Sequence, residues 1–223
     1  MQLKQDIKGF TILELLVVIT IVAIVSAVGY PNFMDWQKER TVRAATEKVA
    51  TMLTGISTQA QKGYFPFVQF QVTPGLSNVV FTSKGMTQDT MSIKLNQSST
   101  KSLDCTIVNS GYWDNHLVDT YTAEVGVNIS GSGAVCFSKD GSYFSEKNKL
   151  EDKQVTRISI GGRQSNHYLI ICLKGSSGGG LIIVGGGSGS CAGTKHQYLV
   201  EWSRFGNINM YKYNHSSNEW ILQ

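Results

Sequence analysis

From Phe10 to Tyr30 the chain is almost entirely Ile, Val, Leu and Ala, with Thr11, Thr20 and Ser26 as mild polar interruptions. No other stretch limits the fold so strongly. A helix of about 20 such residues matches the ~30 Å hydrocarbon core of a bilayer, and it has no polar face to turn to water. Glu14 breaks the pattern one turn inside the run. A carboxylate there costs on the order of 3 kcal/mol on insertion scales, so it requires a partner or a function.

Three plain explanations compete for this segment. A secretory signal peptide has a basic start, an apolar core of about 7–15 residues and a small-residue cleavage site. Val25-Ser26-Ala27 offers such a site, but the apolar core is too long and Glu14 lies inside it. An ordinary single-span anchor fits the length and leaves Glu14 unexplained. A soluble core helix would not be apolar all round.

The order of residues accounts for what these leave over. Lys8-Gly9-Phe10-Thr11-Ile12-Leu13-Glu14-Leu15-Leu16 sets a short basic leader, then Gly, Phe and Glu, at the head of the apolar helix. This resembles the N-terminus of a type IV prepilin. The resemblance implies cleavage between Gly9 and Phe10 by a prepilin peptidase on the cytoplasmic side, followed by N-methylation of the Phe10 amine. It also implies a partner for Glu14: the N-terminal ammonium of a neighbouring subunit in a filament. Removing one member of such a buried pair costs several kcal/mol, so the pair sets register as well as holding subunits together.

The helix is expected to continue past the apolar run to about Gln61. Pro31 removes a backbone donor and crowds the preceding turn, so a kink is expected at Gly29-Tyr30-Pro31. Beyond it, Trp36, Val42, Ala45, Val49, Met52, Leu53, Ile56 and Ala60 recur at three and four residues, one apolar stripe on a polar helix. Gly63 ends the pattern. The apolar period then changes to two. Expected strands are Phe67–Val72, Val79–Thr82, Met91–Leu95, Thr106–Asn109, Ala123–Ile129, Ala134–Ser138, Val155–Ile160, Tyr168–Leu173, Leu181–Val184, Tyr198–Trp202 and Ile208–Tyr213. Lys139-Asp140-Gly141-Ser142 reads as a tight turn.

The implied fold class is α+β: a long N-terminal helix packed on an antiparallel sheet or β-sandwich head. Its parts are a leader at 1–9, a transmembrane or filament-core helix at 10–30, the amphipathic second half of the same helix at 31–62 and a β-rich head at 63–223. The four cysteines all lie beyond the apolar run, and in an exported domain an even number suggests two disulfides. Cys172 with Cys191 is preferred, because it closes the glycine-rich stretch between them; Cys105 with Cys136 follows.

Within the head, Ala134-Val135-Cys136-Phe137-Ser138-Lys139-Asp140-Gly141-Ser142 and the hairpin-like Tyr198–Tyr213 resemble the GspH/FimT-like minor pilins and pseudopilins. Some of that group bind DNA through a basic Gly-Arg-x-Arg-type C-terminal motif. This chain ends Asn-Glu-Trp-Ile-Leu-Gln instead, which argues against DNA as a partner.

Chemistry-bearing motifs are sparse. His116, His167, His196 and His215 are isolated, no CxxC or G-x-S-x-G occurs, and Gly178–Gly189 lacks the G-K-[ST] ending of a phosphate loop. The formal net charge is +4. Removing Lys4, Lys8 and Asp6 with the leader takes +1 from +4 and leaves +3, too mild to imply nucleic acid. Arg204 and Lys212, near Tyr211, Tyr213 and Trp220, are the residues a DNA contact would use.

The expected function is structural, that of a type IV pilus subunit of the minor class, with no enzymatic activity and no cofactor or metal. Its expected partners are other pilin subunits, the prepilin peptidase and methyltransferase, the inner membrane before assembly, and the assembly platform. The location is the inner membrane, then a surface pilus or a periplasmic pseudopilus. A pseudopilin of a type II secretion system shares every feature up to Gly63, and a DNA-binding tip pilin is the rival from the binding class. A membrane-anchored enzyme would show a polar pocket and turnover.

Overall fold

The structure, a computed structural model, describes residues 10–75, 78–98, 103–105, 107, 110–114, 119–129, 133–139, 158–165, 167–173, 191, 194–203 and 205–223. Two compact units divide the chain, residues 1–40 and residues 41–223. The boundary falls inside the long helix, so residues 41–61 of that helix belong to the head rather than to an anchor.

Helix α1 runs Ile12–Gln61 with Pro31 inside it. In the first unit its large apolar side chains are exposed, from Ile12 through Val25 and again at Tyr30, Phe33 and Trp36. In the second unit Val42, Ala45, Val49, Met52, Leu53, Ile56 and Ala60 are buried, which is the i, i+3, i+4, i+7 stripe of an amphipathic helix. Trp36, placed in that stripe by its spacing, is instead 54% exposed. Periodicity does not mark the boundary between the two units, and Trp36 belongs to the first. Gly63 stops α1 at φ +78, the left-handed conformation that glycine adopts without penalty. The Gly63 and Tyr64 N–H groups donate to the carbonyls of Ala60 and Gln59, a Schellman cap that satisfies the last turn.

Two antiparallel sheets follow. The first, in the order β3-β2-β1-β5, is built from β1 (Phe67–Pro74), β2 (Val79–Met86), β3 (Asp119–Ala123) and β5 (Ala134–Ser138). The second, in the order β11-β10-β9-β8-β4, contains β4 (Gly126–Ile129), β8 (Tyr168–Cys172), β9 (Gln197–Trp202), β10 (Ile208–Asn214) and β11 (Glu219–Leu222). A separate hairpin pairs β6 (Ile158–Ile160) with β7 (Arg163–Ser165). The helix-plus-antiparallel-sheet class expected from the sequence is the one observed.

Alternation along the strands gives each sheet two apolar faces. Val68, Phe70 and Phe81 of the first sheet, and Leu169, Ile171, Tyr198 and Val200 of the second, join the α1 stripe in the largest core cluster. The opposite face of the first sheet holds Phe67, Met86 and Cys136 under Leu103, Cys105 and Trp113. The opposite face of the second holds Tyr168, Ile170, Cys172 and Leu199 with Ile160, Cys191 and Tyr211. One disulfide serves each outer layer: Cys105–Cys136 and Cys172–Cys191, with Cα–Cα distances of 5.8 and 5.5 Å. Gln69, fully buried on β1, adds a polar tie by donating to the Cys105 carbonyl at 2.5 Å, and Trp113 Nε1 donates to the Ile107 carbonyl at 2.7 Å.

Two expected strands are wrong. Met91–Leu95 lies in helix α2 (Gln88–Gln97), whose N-cap Thr87 accepts from the Thr90 N–H. The alternating Met91, Ile93 and Leu95 suggested a strand, but Met91 and Leu95 are also an i, i+4 pair. Both pack on the outer cluster of the first sheet, while Ile93 is exposed. The stretch Ala123–Ile129 is not one strand: Ala123 ends β3 and Gly126 begins β4 in the other sheet. Strands β7 and β11 were missed, being three and four residues long and mostly polar or flanked by polar turns. Of Val155–Ile160 the described part, Ile158–Ile160, is strand. Residues 140–142 of the expected turn, Leu181–Val184 and most of Thr106–Asn109 lie outside the described residues.

Candidate functional site

The residues singled out at the start of the chain sit at the N-terminus of α1. Thr11 is the cap: its carbonyl accepts from the Leu15 N–H at 3.1 Å and its Oγ1 accepts from the Glu14 N–H at 3.2 Å. Thr11-Ile12-Leu13-Glu14 therefore has the spacing of a capping box, a signal present in the sequence and overlooked there. Glu14 lies in the first turn, where the partial positive end of a helix favours an anion by about 0.3–1 kcal/mol. That local gain is smaller than the cost of a charge in hydrocarbon, so it does not by itself account for Glu14.

Phe10 is 85% exposed, and Glu14 and the large apolar side chains after it are exposed too. Thr20, the mid-segment hydroxyl, donates to the Leu16 carbonyl at 2.7 Å, so its hydroxyl hydrogen needs no outside acceptor. By length and composition no single helix is a membrane span, but Ile12–Ala27 and Gly29–Gln61, bent at their junction, pass together. Pro31 has no N–H to give the Ala27 carbonyl four residues back, which weakens the helix at that junction. Gly9 and the leader before it lie outside the described residues.

The head offers a groove of about 470 Å³ between the exposed flank of α1 and the β2–β3 side of the first sheet. Met52, Ile56, Phe65 and Val68 line it, with Lys48, Lys84 and Asp119 as its charged members. On the second sheet, the carboxylate of buried Glu201 accepts from Arg163 Nη2 at 2.5 Å and from the Tyr211 hydroxyl at 3.1 Å. Arg163 also donates to Tyr211 Oη at 3.2 Å. These bonds, that to Tyr211 first and then Glu201 with its charge, hold the guanidinium protonated beyond the ordinary arginine range. Glu201 was not foreseen, because nothing in a strand of Tyr, Leu, Val and Trp marks a paired acid.

Lys212 lies on β10 opposite Tyr198 and Ile221 and is half-buried. Arg204, its expected partner in a DNA contact, is outside the described residues. Among the described residues no group of three or more His, Cys, Asp or Glu gathers as a metal would require.

Residues 4–30 match the family model of the prokaryotic N-terminal methylation motif. The match supports a type IV pilin-like prepilin and says nothing of the head, whose likeness to GspH/FimT-like proteins rests on its sequence motifs alone. No curated protein and no solved structure matches the chain.

Proposed function

We propose that this chain is a minor subunit of a type IV pilus, cut between Gly9 and Phe10 and methylated on the Phe10 amine. The observation that carries the reading is the methylation motif set on a helix whose apolar side chains, Ile12 to Val25, are all exposed. Such a surface is stable only in hydrocarbon or against other apolar helices, and the filament supplies the second when the subunit leaves the first. In the assembled state the Glu14 carboxylate pairs with the Phe10 ammonium of a neighbour. The pair neutralises two charges that burial among apolar helices would otherwise penalise, and it fixes the axial step between subunits.

The head then determines what each subunit presents at the filament surface. Its two disulfides suit an oxidising compartment. The partners under this reading are other pilin subunits, the peptidase and methyltransferase, and an assembly platform that extracts the helix from the inner membrane.

The deciding experiment is the intact mass of the protein from cells with and without prepilin peptidase. Loss of residues 1–9 and gain of one methyl group, only when the peptidase is present, is the expected result. An uncut chain, or a cut near Ala27, overturns it. Shearing cells then separates a surface pilus, which releases the subunit into the medium, from a periplasmic pseudopilus, which does not.

A further inference from the structure

Tyr30, Phe33 and Trp36 close the apolar run and stand 66%, 56% and 54% exposed. The Phe33 and Trp36 ring centroids are 5.8 Å apart, and the Arg40 guanidinium lies 5.5 Å from the Trp36 ring centroid. On a helix that turns about 100° per residue, these four side chains fall within a sector of about 120°. Asp35 and Glu39 project from the other side of the helix and are half-buried. The open face is therefore aromatic, with Arg40 as its cation.

Height along the helix decides what meets this face. About 20 residues from Phe10 rise about 30 Å, the thickness of the hydrocarbon core, so Tyr30 stands at its far boundary. The backbone of Phe33 and Trp36 lies about 5 and 9 Å beyond, against a headgroup layer of about 5–7 Å. The bend after Ala27 only lowers these heights. Helical side chains lean toward the N-terminus, here the membrane side, and the placing of Arg40 over Trp36 shows that lean. The Trp36 ring is thus drawn back into the headgroup layer, and the guanidinium with it. Tyr and Trp gather at this level because an apolar ring with a polar edge suits neither hydrocarbon nor bulk water. Arginine adds a fork of donors that matches phosphate oxygens.

We propose that, before assembly, Tyr30, Phe33 and Trp36 seat in the headgroup layer of the periplasmic leaflet, with Arg40 against a lipid phosphate. The contact rests on the membrane-anchored precursor of the filament reading and assigns its lipid partner. It also fixes the depth of the helix. With Tyr30 held at one boundary of the hydrocarbon, the bond between Gly9 and Phe10 comes to the other.

The test uses the uncut full-length chain from cells lacking prepilin peptidase, in phosphatidylethanolamine–phosphatidylglycerol vesicles. The vesicles carry a nitroxide either on the headgroup or midway down an acyl chain. Trp36 fluorescence is the native signal minus that of Trp36→Phe. A bimane on Ile19→Cys, whose thiol is free while the four native cysteines are paired, reports the middle of the span. The headgroup nitroxide is expected to quench Trp36 severalfold more strongly than the acyl one, with the reverse order at position 19. Arg40→Glu should lower the headgroup quenching of Trp36 about threefold, and Arg40→Lys should keep it. An Arg40→Glu chain quenched like the native one overturns the phosphate contact. Acyl quenching at position 19, with Trp36 quenched by neither nitroxide or more by the acyl one, overturns the whole contact and leaves the filament reading standing. Quenching at neither position means that the helix does not insert, and sinks both.

Discussion

The two ends of α1 are written in the same helical geometry for opposite surroundings. Between Ile12 and Ala27 every face is apolar and every large side chain is exposed; between Val42 and Ala60 one stripe is apolar and that stripe is buried. The second stretch satisfies its apolar residues with the two sheets of its own chain. The first is exposed, and under the filament reading lipid or neighbouring subunits would cover it. On that reading, stability of the head and competence for assembly reside on different turns of one helix.

The comparison breaks if substitutions on the two stretches act alike. Leu53, fully buried, and Leu16, 56% exposed, are the matched pair. Leu53→Ala should cost the head about 2–5 kcal/mol in urea unfolding of the detergent-solubilised chain. Leu16→Ala should leave that transition within about 0.5 kcal/mol. Equal losses would show that the apolar run packs on the head after all. Next in size is the loss of a bridge. Cys172→Ser with Cys191→Ser should cost about 3 kcal/mol, since the bond spans 19 residues. It should loosen the outer layer of the second sheet and leave the α1 seam intact, which hydrogen exchange on residues 42–60 would read.

Smaller effects sharpen the contrast further. Gly206 has φ +77, and a Cβ there would stand 2.6 Å from Ser57 Cβ, so Gly206→Ala should cost about 1–3 kcal/mol and release the β9–β10 turn from α1. Arg163→Gln should cost about 1–3 kcal/mol, because the guanidinium is largely in solvent but its loss leaves the buried Glu201 carboxylate with the Tyr211 hydroxyl. Burial raises the Tyr168 phenol above its ordinary value. A raised folded-state value means full stability below the unfolded-state value of about 10, lost as pH climbs from there through the folded one. Alkaline unfolding followed at fixed urea would show it, and a transition indifferent to pH above 10 would refute the assignment.

Much of this was legible in the sequence because the signals were local. The apolar run, the stripe from Val42 to Ala60 and the stop at Gly63 each depend on a period or a backbone preference that one segment carries alone. Glu14 was conspicuous because a charge among aliphatics has few explanations. What failed depended on neighbours. Met91–Leu95 carries both a strand and a helix pattern, and only the Thr87 cap and the outer layer it packs on choose between them. The break after Ala123 is a change of sheet that no residue in 123–129 announces. Trp36 obeys the spacing of the stripe but lies outside the second unit. Glu201 owes its place to Arg163 and Tyr211, 38 and 10 residues away.

The grip of the β9–β10 turn on α1 bears on how the head withstands force. Ser57 Oγ donates to the Gly206 carbonyl at 3.2 Å and Gln61 Nε2 donates to the Phe205 carbonyl, one turn apart near the end of the helix. A pull along this part of α1 loads these bonds and the buried stripe together, in shear rather than one after another. Slippage then requires all of them to fail at once, so the joint behaves as a rivet and not as a zip.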